Sequence, residues 1–469
     1  MYFQQFYLTC LAHASYMLGS EGVAAVVDPQ RDVDLYLEEA RAQNLKIAYV
    51  IETHLHADFV SGHHELAART GAEIVLGSKA GATFKHRAVK DGNEIRLGNC
   101  TLRFLETPGH TDESICMLVT DPARGREPWA ALTGDTLFIG EVGRPDLSPV
   151  HSAQELASLL YDSLHTKLLT LPDSVEVYPA HGAGSLCGRN ISPERQSTIG
   201  KERQFNYALR PMSREAFVTM VTAELPERPE YFGKDVEMNR AGAPALAAHP
   251  KSAALSPPEV SRRQKEGALV LDTRPATLFG AGSIPGSLHI ALSGQYATWA
   301  GTLIGLEKPV ILVVEEEERV EESALRLARV GIENVAGYLE GGILAWQQAG
   351  LPLNEVSQIS VLQLREQLLE DPSAITVIDV RRKQEWEVGH IEQAVLKPLH
   401  ALSQELTGLD RAKPVAVHCQ GGYRSSIATS ILLANGFTQV MNVVGGFDAW
   451  KAQNLPVVVG PNGKACNKS

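Results

Sequence analysis

Cysteine is scarce: Cys10, Cys100, Cys116, Cys187, Cys419 and Cys466 are the only six in 469 residues. That is too few for a disulfide framework, and no CxxC pair offers a structural zinc site, so reduced thiols in a cytoplasm are expected. Positive charge is also short. Lys plus Arg number 43 against 55 Asp plus Glu, a net charge of -12; a surface that neutralises phosphates is excluded and no nucleic-acid partner is expected. Long apolar runs are missing: none approaches the roughly 18 residues that span a bilayer. Met1–Ser20 also lacks a basic stretch followed by an apolar one, so neither a membrane partner nor export is expected. Nor is there a bias toward disorder, with 44% hydrophobic and 21% charged residues. A folded chain of this length holds roughly two to four domains. The sequons at Asn190 and Asn467 would matter only in a secreted protein.

From Gly22 to Leu105, β-branched runs (Val23–Asp28, Ile47–Glu52, Glu73–Leu76, Thr101–Glu106) alternate with helical text at Asp32–Gln43 and His63–Thr70. Strands are predicted at Leu132–Phe138 and Val175–Pro179, and helices at Ser152–Leu164 and Pro193–Leu209. The first domain, α/β and layered, is placed at 1–237. The stretch that follows, rich in Ala and Pro and without periodicity, reads as an extended linker over 238–260. Beyond it lies an internal repeat of about 105 residues. LVLDTR at Leu269–Arg274 recurs as TVIDVR at Thr376–Arg381, and YLEGGILAWQQAGLP at Tyr338–Pro352 recurs as VVGGFDAWKAQNLP at Val443–Pro456. Two copies of one α/β fold are expected, at 261–356 and 357–457, with a tail at 458–469.

The first domain carries VIETHLHADFVSGH over Val50–His63, an apolar strand running into Thr-His-x-His-x-Asp. A strand end on a rigid sheet aims such groups at one point. His54, His56 and Asp58 are joined at comparable positions after strands by His110, Asp135 and His181. Ordinary polar turn residues are the competing reading, and the clustering outweighs it.

With those motifs, the first domain resembles the metallo-β-lactamase superfamily, an αββα sandwich with a metal site on strand-end loops. The dinuclear hydrolases of that superfamily carry a further His directly after the Asp; here that position is Phe59. A ring without a donor cannot coordinate, which disfavours a second metal and two-metal hydrolysis. The branch most resembled is the persulfide dioxygenases. The resemblance implies one Fe(II) per chain on His54, His110 and Asp135, leaving open positions as in non-haem iron oxygenases. His56, Asp58 and His181 would orient those ligands from outside, and Arg144 and Asp146 would hold the Asp135 loop by an ion pair. Cys187, beside Arg189 on a Gly-rich loop, is a candidate low-pKa thiol that receives or presents sulfane sulfur.

In the last copy, PVAVHCQGGYRS (Pro414–Ser425) is a strand, a Gly-containing loop and then a helix predicted at Ser426–Asn435. Loop N–H groups over Gln420, Gly421, Gly422 and Tyr423 and a helix N-terminus would stabilise a thiolate at Cys419, and Arg424 would add positive charge. With Asp379, Arg381, Trp386 and the Gly445–Trp450 motif, this copy resembles rhodanese domains. Only four residues separate Cys419 from Arg424, one fewer than in the phosphatases of that fold, which favours sulfurtransfer. In the middle copy Val314 stands where Cys419 would be, followed by Glu315–Glu318. It reads as a rhodanese-like copy without a nucleophile, its acidic run a solvated loop.

The combined resemblance implies an N-terminal metallo-β-lactamase αββα sandwich followed by two rhodanese-like α/β domains. A thiol persulfide, such as that of glutathione or coenzyme A, would be oxidised by O2 to sulfite and thiol. Cys419 would link persulfide, sulfite and thiosulfate by sulfurtransfer, in sulfide detoxification. Two alternatives are a zinc thioester or lactone hydrolase fused to a sulfurtransferase, and a non-enzymatic persulfide-sensing module. A homo-oligomer is expected, with Pro193–Leu209 as a helix able to pair between subunits.

Overall fold

The computed structural model describes residues 1–223, 225, 227–246, 251–460 and 464–465; Cys466 and the Asn467 sequon lie outside them. Two compact units form, residues 1–250 with the short segment 327–332, and 251–326 with 333–469. Each is described by itself. Among the described residues no helix is long and apolar enough to cross a membrane, and every cysteine is free.

In the first unit two six-stranded sheets face each other. One runs Tyr2–Leu8, His13–Ser20, Val23–Val27, Lys46–Ile51, Glu73–Gly77, Arg87–Val89; the other Ser197–Thr198, Glu176–Pro179, Ala130–Gly134, Ile115–Thr120, Cys100–Glu106, Glu94–Leu97. Side chains alternate faces along a strand. Leu18 and Val27 therefore point into the core shared with Leu102, Phe104, Met117 and Leu132, while their neighbours Met17 and Val26 point outward onto Tyr36 and Leu66. Those two belong to helices Asp34–Ala42 and His63–Thr70. On the far side, helices Ala153–Asp162 and Arg214–Thr222 bury Leu160, Phe217 and Val221 against Leu118 and Val177. The layers are helix, sheet, sheet, helix, as expected.

The second unit holds two five-stranded sheets of one topology. The orders are Ala254–Leu255, Val335–Leu339, Val310–Val313, Leu269–Asp272, Leu288–His289, and Ser357–Ile359, Val440–Val443, Val415–His418, Thr376–Asp379, Ala394–Leu396. Every pairing in both is parallel. The repeat extends to single bonds. Arg274 grips Asp272 at 2.6 Å and donates to the Gly282 carbonyl at 2.7 Å; Arg381 grips Asp379 and the Gly389 carbonyl, both at 2.7 Å. The indoles of Trp346 and Trp450 each donate to a proline carbonyl at 2.9 Å.

Four sequence readings need correction. Pro193–Leu209 is not one helix: Ser197 pairs with Val177, and the helix is only Ile199–Phe205, capped by Thr198. The helix read from Ser426 starts at Tyr423 and ends at Ala434, which places Arg424 in its first turn. The linker is shorter than 238–260. Helix Tyr231–Ala241 runs through the boundary at 237, Leu255 pairs with Leu339, and Pro257 opens a helix to Lys265, a position where its missing N–H costs nothing. Residues 247–250 lie outside those described. Val458 exchanges hydrogen bonds with His390, so the last domain takes in the start of the tail.

Helix Tyr231–Ala241 belongs to the first unit through Asn239. Its buried amide donates to the carbonyls of His56 and Phe59 at 2.8 Å each and accepts the Ser61 N–H at 2.7 Å. At about 1 kcal/mol per bond, with unpaired buried groups left behind, Asn239→Ala is expected to cost about 3 kcal/mol. Thermal unfolding followed by calorimetry should show the first unit's transition shifted down and the second unit's unchanged.

Candidate active sites

The loops after four strands converge at one end of the sandwich. The sheets are tied there by the Ile115 N–H to the Thr53 carbonyl at 2.8 Å and the Ala14 N–H to the Ala180 carbonyl at 2.7 Å. His54 follows Lys46–Ile51, His110 follows Cys100–Glu106, Asp135 follows Ala130–Gly134 and His181 follows Glu176–Pro179. The donor atoms of His54, His110 and Asp135 lie within 4.8 Å of one another; Asp135 Oδ2 is 3.7 Å from His54 Nε2 and 3.4 Å from His110 Nε2.

Hydrogen bonds set both tautomers. Thr53 Oγ1 donates to Asp28 at 2.9 Å, so it accepts from His54 Nδ1 at 3.0 Å. His110 Nδ1 donates to the Arg144 carbonyl at 2.9 Å. Each Nε2 is left a bare lone pair, buried and without a hydrogen-bond partner. Burial keeps both imidazoles below their usual pKa, hence neutral and able to ligate. Asp135 is buried too, yet His181 and His54 hold its carboxyl well below the usual range. Two buried lone pairs facing a carboxylate fit a divalent metal, and nothing else in the described chain satisfies them.

His181 bridges carboxylates, with Nδ1 2.8 Å from Asp135 and Nε2 3.0 Å from Asp58. Burial opposes its charge, but the two carboxylates raise its pKa well above the ordinary value. His56 turns Nε2 to Asp28 at 3.2 Å and Glu52 at 3.6 Å. The Phe59 ring is fully buried and packs 4.4 Å from His56 and 4.2 Å from His13. Arg144 grips Asp146 through two nitrogens at 2.6 and 2.8 Å, which holds the carbonyl that orients His110. Gly143 makes this possible, because a Cβ there would lie 2.0 Å from the Asp135 carbonyl oxygen.

Cys187 departs from its reading. Its donor atom lies within 4.8 Å of Asp135 and His181, but Arg189 turns away to Ala223, Tyr207 and Met220. Packed with Phe138 and Ile191, the thiol is pushed well above its usual pKa by burial and by Asp58. An Arg189-activated thiolate is therefore not what the fold builds.

In the second unit Cys419 is buried, and the Gly422 N–H points at its Sγ at 3.1 Å. Gly422, in the left-handed region at φ 108, turns the chain into the helix. The loop side chains are committed elsewhere: Gln420 to Arg381 at 3.2 Å, and Tyr423, whose hydroxyl donates at 2.8 Å to the Ala291 carbonyl of the middle copy. The His289 ring of that copy accepts from Ser426 at 3.2 Å, and its backbone N–H donates to the Ser430 hydroxyl at 3.0 Å. Helix Tyr423–Ala434 is thus gripped from both copies, and Ser425 to Leu432 are buried without a break. Arg424, expected to add positive charge at the loop, has that charge paired, locked to Glu385 by two bonds of 2.6 Å. In the middle copy Val314 is buried where Cys419 would be, and Glu315–Glu318 are exposed. Glu317 accepts the Gly341 N–H at 3.2 Å and the Tyr338 hydroxyl at 3.4 Å, and the run stays a solvated loop.

Comparison with known proteins places the domains that carry these groups. The Metallo-beta-lactamase superfamily matches residues 8–181 and the Rhodanese-like domain matches 256–349 and 361–453. The mitochondrial persulfide dioxygenase ETHE1 of Bos taurus is 32% identical over 215 residues, 44% of this chain and 75% of that protein. This chain belongs to the persulfide dioxygenase family, with two rhodanese-like domains following. A hydroxyacylglutathione hydrolase of Polaromonas is 35% identical over 163 residues, 34% of this chain and 57% of that protein. The crystal structure of a metallo-beta-lactamase from Staphylococcus aureus is 29% identical and covers 72% of this chain and 98% of its own, with a TM-score of 0.65.

In this family member, sequence reading missed Asp28, Glu52, Thr53, His13 and Asn239 around the metal cluster. Asp28 ends the strand Val23–Val27 as His54 follows its own, so its place after a strand was the available signal; its φ of 51 was not visible. Asn239 lies 178 residues from the Ser61 it bonds, beyond any local pattern.

Two outcomes follow from this geometry. Gly143→Ala should leave the fold intact but displace the Asp135 and His110 loops, so that metal retained per chain, measured by elemental analysis, falls severalfold. Burial also holds His63 down to about 3 and His13, His54 and His110 below their usual values. Unfolded, they take up protons near pH 6.5, so at these imidazoles the folded state binds fewer; the raised His181, Glu52 and Glu113 run the other way and are outnumbered. The metal-free first unit should lose stability as pH falls from about 6.5 toward 3, read as a lower unfolding midpoint at pH 5.5 than at 7.5.

Proposed function

We propose that the first unit oxidises a low-molecular-weight thiol persulfide with O2 and water to sulfite and the free thiol, and that Cys419 moves sulfane sulfur among persulfide, sulfite and thiosulfate. The carrying observation is the pair of unpartnered Nε2 atoms of His54 and His110 beside Asp135, in a chain of the persulfide dioxygenase family. In this reading those three residues hold iron(II), which when bound would supply the O2 chemistry that side chains lack. The chain's own contribution is positional. Thr53 and the Arg144 carbonyl fix the imidazole faces, His181 keeps a proton between Asp135 and Asp58, and burial of the whole set excludes bulk water.

At the second site the Cys419 thiolate attacks the terminal sulfur of a donor, forms a Cys–S–S⁻ persulfide and releases the donor's remainder with the electron pair of the broken S–S bond. The Gly422 N–H is placed to hydrogen-bond the attacking sulfur. Two sulfur activities in one chain raise the local concentration of the intermediate they share. Copies would associate as a homo-oligomer in a reducing cytoplasm; Phe205, 69% exposed on helix Ile199–Phe205, is the apolar side chain that supports association.

The hydrolase likeness favours a second reading, zinc-dependent thioester cleavage. It would need a second metal beside His181 and Asp58, where Phe59 brings no donor. Oxygen uptake separates the two. With glutathione persulfide and anaerobically purified protein, O2 consumption with sulfite formation is expected, abolished in His110→Ala and retained in Cys419→Ser. Thioester hydrolysis without O2 uptake would replace the dioxygenase reading.

A further inference from the structure

This inference rests on the sulfurtransfer reading of Cys419 and concerns what that cysteine accepts. A rhodanese-like loop that uses inorganic thiosulfate must hold a dianion next to the thiolate. The cations around Cys419 are poorly disposed for that. Arg381 is buried and bound to Asp379 and the Gly389 carbonyl. Lys451 faces Asp448 at 3.4 Å, and Asp448 also takes the Gln420 amide. Arg424, in the first turn of the helix behind the loop, is held through both terminal nitrogens by Glu385 at 2.6 Å. Glu385 is fixed in turn, accepting the Arg382 N–H at 3.0 Å across its own helix start. Arg382 neighbours both Glu385 and Arg424 and is the one cation of the set for which no carboxylate bond is seen.

We propose that Glu385 is a specificity-determining residue that sets Cys419 against inorganic dianions and toward sulfur donors with less charge at the reacting end, organic persulfides above all. With thiosulfate, Cys–S⁻ bonds to the outer sulfur, the S–S bond to the sulfonate breaks, and sulfite leaves with the electron pair; three negative charges are present before and after. Arg424, the arginine that interacts with the Cys419 thiol, is already neutralised by Glu385. With an organic persulfide, R–S–S⁻ gives Cys–S–S⁻ and R–S⁻, and the donor brings a single negative charge to the loop. Coulomb repulsion scales with that charge, so the dianion meets about twice the penalty of the monoanion.

The test compares thiosulfate with benzenethiosulfonate, a monoanion with the same sulfone-bound outer sulfur, in the full-length protein with cyanide as acceptor and thiocyanate as readout. Glu385→Gln removes the charge and keeps an oxygen for Arg424 and the Arg382 N–H. It should raise kcat/KM for thiosulfate about tenfold, chiefly through KM, and for benzenethiosulfonate about threefold. Glu385→Asp keeps the charge and should keep the wild-type preference between donors whatever its absolute rates. Equal losses with both donors in Glu385→Gln would make the residue a structural brace, and an unchanged ratio would show that its charge is not felt; either overturns the proposal. If wild type turns over neither donor, the sulfurtransfer reading itself fails, a result distinct from both.

Discussion

Three imidazoles around one buried carboxylate hold the first unit's chemistry together. Asp135 meets His54, His110 and His181 at the point where the two sheets are tied, and the charge of each group depends on the others. A carboxylate this deeply buried is costly alone. His181 offsets that cost by carrying a proton between Asp135 and Asp58, which frees His54 and His110 to remain neutral. Their outer nitrogens are spoken for by Thr53 and the Arg144 carbonyl, so the lone pairs are aimed before any metal arrives. The close packing of Gly143 and the Arg144–Asp146 grip follow from the need to hold that carbonyl still.

The second unit solves a different problem with a duplicated fold. Both copies keep the Asp–Arg grip and the indole-to-proline bond that hold their shared topology, but only one keeps a nucleophile. With Val314 where the other copy has its cysteine, that copy lacks a nucleophile but keeps a packing role. Ala291 and His289 now hold the helix that begins inside the Cys419 loop. Buried on two faces, a helix whose first turn carries Tyr423 and Arg424 has little freedom to wander, and the loop inherits that rigidity.

Much of this was legible in the sequence because each landmark is a local pattern. His54, His110, Asp135 and His181 stand after apolar runs, and Cys419 stands between a strand and glycines. The repeat exposed the two copies directly. What stayed hidden depends on distance along the chain or on partners. Asn239 reads as part of a linker, yet its amide closes the loop behind His56. Cys187 and Arg189 are neighbours in sequence whose side chains part in space, and the carboxylate that pairs with Arg424, Glu385, lies 39 residues away. The helix over Pro193–Leu209 failed for a local reason, the pairing of Ser197 with Val177, which periodicity does not register.

The phenyl ring of Phe59 stands where a second metal would need a donor, which argues for a single-metal centre. Titrating anaerobic, metal-free protein with iron(II) tests it most directly, with bound metal counted by elemental analysis after gel filtration. One equivalent per chain, lost in Asp135→Asn and joined by a second in Phe59→His, is the predicted result. Two equivalents in the wild type, or one that survives Asp135→Asn, would contradict it.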